Sequence, residues 1–401
     1  MNNQKHRVLL ISSQPIQNPV PLQHLSQFSQ LEILVAYCSL PDTKLWQGVE
    51  NLNKEVFDTP MLNGYPWNYV PNRSPVKSLG KFFGLINPGL IKLVSQCHCC
   101  VVFGHSYLSF WLAIIATKLM GKPLLLSTDA TYLNPPEGQN WKVPLKRWLL
   151  PRLYNRIADS VIVPSTASKR FIHSLGVPEE RIFITPYVVD NEGIAATARK
   201  ADCKRIRADW QIPETAWVVL FVAKFLERKR PQDLLRAFAT ASVPNSYLVF
   251  VGEGPLSNFL RSEAQQLGVD ERVSFLGLVK YSKLPEVYAA SDLLVHPAEW
   301  EPYGLIVNEA MVCGVPVIVS DRVGASCDLV QEGVTGFTYP WGKVEKLAEL
   351  LRETLSDRQR MQWLGQAAQQ RMQTWSSREN AEGTLEAIER AFICKQSKTT
   401  V

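Results

Sequence analysis

The sequence predicts an α/β protein made of two doubly wound, parallel-sheet domains, and three observations carry that expectation. At 401 residues the chain exceeds what a single hydrophobic core covers and fits two domains of roughly 150–200 residues each. Short apolar runs recur along it, each opening into a polar or glycine-bearing loop and then a helical segment, the pattern of strands buried on both faces. From Asn191 to about Thr215 charged and small residues replace that pattern. The chain therefore divides into residues 1–190, a linker at 191–215, a second domain at 216–375 and a terminal segment at 376–401.

Composition narrows the function classes. The formal charge of +6 is mild and its basic residues are scattered, which suits anionic ligands or lipids and argues against nucleic acid. Met1–Arg7 is polar and Val8–Ile11 is too short for a signal-peptide core, so a cytoplasmic location with reduced thiols is expected for the eight cysteines. Cys97-His98-Cys99-Cys100 is too tightly spaced for an ordinary zinc pair and reads as the apolar entrance to a strand. No metal site is expected.

Arg7–Ile11 is the first buried strand, followed by Ser12-Ser13-Gln14-Pro15-Ile16-Gln17-Asn18-Pro19 and a helix from about Pro21. In a doubly wound sheet this loop faces the ligand crevice. It lacks the dinucleotide glycine fingerprint, which disfavours an oxidoreductase. Gln14 and Gln17 either face that crevice or hold the loop together. Leu31–Tyr37 is a second strand, and the irregular stretch from Pro41 to Asn87, with Trp46, Tyr65, Trp67 and Tyr69, is a long loop of the functional kind.

Cys99–Phe103 is a strand ending at Gly104-His105, before an apolar helix that stops at Gly121. His105 is either a satisfied structural residue or a crevice-facing one. Leu124–Ser127 repeats the motif and ends near Asp129, which is a candidate site residue or a turn cap. Trp141–Arg156 is basic, aromatic and amphipathic, fitting either a membrane-surface helix or a solvated basic face. Ser160–Val163 is a strand, and Ile182–Asp190 closes the first half.

Trp217–Val222 opens the second series and runs into Ala223-Lys224-Phe225-Leu226-Glu227-Arg228-Lys229-Arg230-Pro231. Such a charge cluster at a strand's carboxyl end suits a diphosphate. Tyr247–Val251 leads into Gly252-Glu253-Gly254-Pro255, and Val273–Leu276 into Gly277. Leu293–His296 is a buried strand, Gly304–Cys313 a helix, and Pro316–Ser320 the next strand. Glu309 falls on the apolar stripe of that helix with Leu305 and Val312, where a carboxylate needs hydrogen-bonding partners. Glu301 stands just outside the helix start, where the amides of Gly304 and Leu305 offer an anion site. Glu309 thus has either a structural arginine partner or a ligand.

The spacing of Glu301 and Glu309 around Pro302-Tyr303-Gly304-Leu305 resembles the signature of retaining family-4 glycosyltransferases, and the resemblance is best from about Ala216 to Phe337. It implies the GT-B fold, two Rossmann-like domains facing a central cleft, with the segment after Trp375 crossing back to an N-terminal, acceptor-binding domain. The implied activity is retaining transfer of a sugar from a nucleotide-diphosphate sugar to a hydroxyl of a glycan or lipid-linked acceptor. By the same resemblance Glu309 holds ribose hydroxyls, Glu301 holds the transferred sugar, and Lys224 and Lys229 clamp the diphosphate. Gly252 and Gly254 belong to the donor loop, Leu278 and Val279 line the base pocket, and His105 contacts the sugar. Gln14, Gln17 and Asp129 lie on the acceptor side. No metal or other cofactor is implied beyond the nucleotide sugar, and peripheral contact with the inner membrane face through residues 141–156 is implied for a lipid-linked acceptor. The sequence departs from the family pattern at Ala223, Lys224 and Arg230, and at Asp321–Ala325, where a double-glycine turn is usual. A nucleotide-sugar epimerase or phosphorylase of the same fold, or a non-catalytic partner subunit, are the alternatives.

Overall fold

The computed structural model describes residues 5–16, 18–40, 58, 60–133 and 142–399, the side chains of 396–399 excepted. Gln17, Trp46, the first part of the aromatic loop and Trp141 lie outside the described residues. The chain forms two compact units, Met1–Tyr187 with Ser377–Val401, and Val188–Ser376.

The first unit holds a seven-stranded parallel sheet: β1 (His6–Ser12), β2 (Leu31–Tyr37), β3 (Trp67–Tyr69), β4 (Cys99–Phe103), β5 (Leu124–Ser127), β6 (Ser160–Val163) and β7 (Ile182–Ile184), in the spatial order β3-β2-β1-β4-β5-β6-β7. The order reverses between β1 and β4, so the loops that follow these strands flank the switch point where doubly wound sheets take ligands. β3 is an addition to the sequence expectation, three residues on the sheet edge where periodicity has no room to show. One sheet face packs Leu9, Ile11 and Val102 against Phe110 and Ile114. The other packs Val8, Leu10 and Val101 against Ala381, Ala387, Ile388 and Ala391 of the C-terminal helix Ser377–Thr399. Cys99 and Cys100 are fully buried in this sheet.

The second unit holds six parallel strands: β8 (Trp217–Val222), β9 (Ser246–Val251), β10 (Val273–Gly277), β11 (Leu293–His296), β12 (Val317–Ser320) and β13 (Gly336–Tyr339), ordered β10-β9-β8-β11-β12-β13. Its switch point lies between β8 and β11. Phe221, Phe225, Phe250 and Phe275 form an aromatic cluster under β8–β10, with Phe250 and Phe275 stacked at 5.2 Å.

Residues 191–215, expected as a linker, are instead two helices within the second unit, Asn191–Arg199 and Cys203–Asp209. The charges that read as a solvated connector have structural work. Asp190 and Asp202 cap the two helices by accepting from the amides of Gly193 and Arg205. Arg207 donates to the carbonyls of Ala290, Glu214 and Ala216 and pairs with Asp292 at 3.0 Å, tying the second helix to β8 and β11.

Candidate functional site

β8 and β11 are neighbours, so the loops leaving their carboxyl ends, 223–230 and 297–304, run side by side. The amide of Glu299 donates to the carbonyl of Arg228 at 2.9 Å and stitches them together. Residues Glu227–Lys229 form one 3-10 turn that ends at Arg230 in the left-handed region, φ 54°. Arg230 then forks onto Asp233, both contacts 2.9 Å, so its charge serves the following helix. This geometry aims Lys229 at Glu301, and the two form an ion pair. Arg228 Nη1 stands 4.0 Å from the same carboxylate oxygen and His296 Nε2 3.5 Å from it. The Lys229 and Glu301 side chains are each 14% exposed, so most of their hydration is gone and each depends on the other for charge compensation. Arg228 and His296 are additions to the sequence reading. One was hidden in a charge run, the other at the end of an apolar strand. Lys224 opens the same loop and is half-buried.

Glu301 is held by a backbone clasp. Its amide donates to Arg322 O at 3.2 Å, Gly324 N donates to Glu301 O at 3.0 Å, and Ala325 N to Tyr303 O at 2.8 Å. A Cβ on Gly324 would overlap the carbonyl of Pro302. The family's double-glycine turn is thus reduced here to the one glycine that close approach demands. Gly324→Ala is expected to lower stability by about 1–3 kcal/mol through overpacking. Thermal unfolding measures it, and an unchanged melting temperature would contradict the clasp.

The helix Leu305–Val312 starts from Gly304 at φ 101°, and no side chain caps its first amides. Glu309, in its second turn, is buried. Its partner is not an arginine. The Tyr288 hydroxyl donates to Glu309 Oε2 at 2.7 Å, and Tyr281 also hydrogen-bonds the carboxyl. Burial raises the Glu309 pKa to about 7, against the lowering effect of the two tyrosines. Two groupings therefore result: Lys229, Arg228, His296 and Glu301 before the helix, and Glu309 with Tyr281 and Tyr288 inside it.

Gly252 and Gly254 admit another backbone. A Cβ on Gly252 would strike Ala223 O, one on Gly254 would lie 2.6 Å from Phe225 O, and Phe225 N donates to Glu253 O at 3.0 Å. These glycines set the spacing between the loops after β8 and β9. Beyond Gly277, Leu278 is exposed and Val279 half-buried.

In the first unit His105 follows β4 and is half-buried, its Nδ1 3.1 Å from the Tyr154 hydroxyl, and its carbonyl accepts from Trp111 Nε1 at 3.0 Å. Burial, and then Lys146, depress its pKa to about 4, so the ring is neutral. Tyr154 also hydrogen-bonds Thr128, which adjoins the exposed Asp129. His105 and Asp129 are thus joined through Tyr154 and Thr128 at the ends of neighbouring strands. Gln14 is fixed through its backbone, Ser12 Oγ donating to its carbonyl at 2.7 Å. The helix Val143–Pro151 leaves Leu145 and Trp148 more than half exposed, with Arg152 4.5 Å above the Trp148 ring.

These features match known proteins. The family profile "Glycosyl transferases group 1" covers residues 202–371 and that of "Glycosyltransferase Family 4" covers 57–192. D-inositol 3-phosphate glycosyltransferase of Rhodococcus jostii (strain RHA1) is 33% identical over 307 residues, 73% of this chain and 67% of that protein. Sulfoquinovosyl transferase SQD2 of Arabidopsis thaliana is 29% identical over 272 residues, 66% of this chain, and N-acetyl-alpha-D-glucosaminyl L-malate synthase of Bacillus anthracis 31% over 172 residues, 43% of this chain. The chain spans about half the length of these last two, 51% and 44%. The structure of Anabaena Alr3699/HepE in complex with UDP superposes with a TM-score of 0.72 at 20% identity, covering 96% of this chain and 99% of that one. WaaG, a glycosyltransferase involved in lipopolysaccharide biosynthesis, gives 0.62 at 16% identity over 94% and 98%. With two Rossmann-like sheets and both halves of the family pattern present, the chain belongs to the group 1 and family 4 glycosyltransferases of the GT-B fold.

Proposed function

We propose that this chain transfers a sugar from a nucleotide-diphosphate sugar to a hydroxyl of a glycan or lipid-linked acceptor, with retention at the anomeric carbon. The observation that supports this most is the cluster of Lys229, Arg228 and Glu301 at the carboxyl ends of β8 and β11, the switch point of the second sheet. A diphosphate arriving there meets Lys224, Arg228 and Lys229 and the uncapped amides of Gly304 and Leu305. Fixed positive groups aimed at developing charge are the largest catalytic contribution such a site offers. They serve where other enzymes use a metal, and none is proposed. Once Lys229 turns to phosphate, the Glu301 carboxylate accepts hydroxyls of the transferred sugar. Glu309 accepts the ribose hydroxyls, with Tyr281 and Tyr288 fixing its orientation. Leu278 and Val279 flank the base.

In the reaction the bond from anomeric carbon to phosphate oxygen breaks and a bond from anomeric carbon to acceptor oxygen forms on the same face. The acceptor proton passes to the leaving phosphate. On the first unit, neutral His105 can donate a hydrogen bond without charge, and we propose Asp129 and Gln14 as residues that orient the acceptor. The exposed Leu145 and Trp148 beside Lys146 and Arg147 suit a membrane surface carrying a lipid-linked acceptor. No helix among the described residues is long and apolar enough to cross a membrane.

The test is a thermal-shift panel of UDP-, GDP- and ADP-sugars, since a donor at 100 times its Kd stabilises by about 2.7 kcal/mol. Acceptor-dependent release of nucleoside diphosphate and an α-linked product from an α-linked donor are expected. Failure of every nucleotide sugar to bind, or an inverted product, would refute the proposal in its respective part.

A further inference from the structure

We propose that His296 is a positioning residue that takes over the Glu301 carboxylate when Lys229 is drawn onto the donor's diphosphate, an inference that rests on the donor reading above. His296 is the last residue of β11 and fully buried. Neither ring nitrogen has a hydrogen-bond partner among the described residues. An unsatisfied buried polar group costs about 1–3 kcal/mol, and an apolar ring would pack against Phe221, 6.3 Å away, without that cost. The polar ring is therefore matched to an arrangement other than the resting one.

The surrounding groups identify that arrangement. Nε2 faces Glu301 Oε2 at 3.5 Å, and the charged neighbours are Lys229 and Arg228. Burial, and then these two cations, hold the imidazole well below its ordinary pKa, so it is a neutral donor. In this structure Glu301 is satisfied by Lys229. A bound diphosphate competes for both cations but exerts no comparable pull on an uncharged ring. As Lys229 leaves, Glu301 becomes a buried carboxylate in need of a donor. A movement of about 0.5 Å brings His296 Nε2 into hydrogen-bond range. That bond would anchor Oε2 and leave Oε1 directed at a sugar hydroxyl. The handover lets one carboxylate store the phosphate-binding lysine and afterwards grip the sugar.

The experiment compares wild type with His296→Phe, which keeps an aromatic ring without a donor, and His296→Gln, whose amide nitrogen falls near the Nε2 position. The probes are UDP, GDP and ADP, and the glucose or mannose nucleotide that binds wild type. His296→Phe should retain the melting temperature and nucleoside-diphosphate affinity of wild type, and lose about 10–100-fold in kcat and in the extra affinity conferred by the sugar, the worth of one hydrogen bond to a charged group. His296→Gln should recover most of that loss. Unchanged kcat in His296→Phe, equal loss of affinity for nucleoside diphosphate and nucleotide sugar, or absence of rescue by a folded His296→Gln would each overturn the assignment. Should His296→Phe not fold, His296→Asn replaces it, because its amide reaches only the Nδ1 position, and equal activity of the Asn and Gln variants overturns the handover. If wild type binds no nucleotide sugar, the donor reading falls and the handover with it. Wild-type turnover with an indifferent His296→Phe removes the handover alone.

Discussion

Replacing Glu309 by glutamine is expected to stabilise the second unit at pH 8, by an amount that vanishes near pH 4.5, and to abolish donor binding at every pH. The stability effect follows from the buried carboxyl, whose pKa is raised from 4.5 to about 7. Below the lower value folded and unfolded chains both carry the proton, and no penalty exists. As pH rises, the unfolded carboxyl ionises first, so stability is lost through the window from 4.5 to about 7 and stays low above it. The full difference is on the order of 3 kcal/mol at 1.36 kcal/mol per pKa unit. Glutamine does not titrate and still offers an acceptor to Tyr288. The melting temperature of Glu309→Gln minus that of wild type, followed from pH 5 to 8, should therefore climb from near zero to several degrees. A difference independent of pH would show that Glu309 ionises as readily folded as unfolded. Donor binding is expected to fail in the variant because a single amide oxygen that already accepts from Tyr288 has too few lone pairs left for both ribose hydroxyls.

Lys229→Ala is expected to lower transfer by about 10²–10³-fold, the scale set by removing one group that stabilises developing charge. Among the described residues it leaves Glu301 with Arg228, at 4.0 Å, as the remaining ion-pair partner. The single variant should thus lose stability, up to about 3 kcal/mol for a largely buried pair. Adding Glu301→Gln should restore that stability without restoring activity. Glu301→Gln alone should keep nucleotide affinity and lose turnover. A double variant as unstable as Lys229→Ala would show that the pair is not energetically coupled. Chemical denaturation together with initial rates gives both readouts.

Much of this architecture was legible because buried parallel strands write themselves as continuous apolar runs. Val8–Ile11, Trp217–Val222 and Leu293–His296 needed no further context. β3 escaped because three residues on an edge carry no period. The helices of 191–215 escaped because their charges looked solvated, whereas Asp190, Asp202 and Arg207 are caps and anchors whose partners lie elsewhere in the fold. At the site, Lys229 and Glu301 were visible as residues, but their mutual pairing across 72 positions depends on the adjacency of β8 and β11. Glu309 was recognisable as an anomaly on an apolar stripe. That two tyrosines, not an arginine, would resolve it was unreadable, since Tyr281 and Tyr288 sit in a segment with no charge pattern to mark them. His296 was disguised by its apolar neighbours.

The helix Ser377–Thr399 supplies Ala381, Ala387 and Ile388 to one face of the first sheet, yet about 190 residues of the second unit intervene before it is made. On a ribosome adding roughly 5–20 residues per second, that sheet waits some 10–40 seconds with Val8, Leu10 and Val101 lacking their final cover. The earlier half of the polypeptide must therefore ripen after the later half, and a nascent chain stalled before residue 377 presents a greasy, unfinished surface to chaperones.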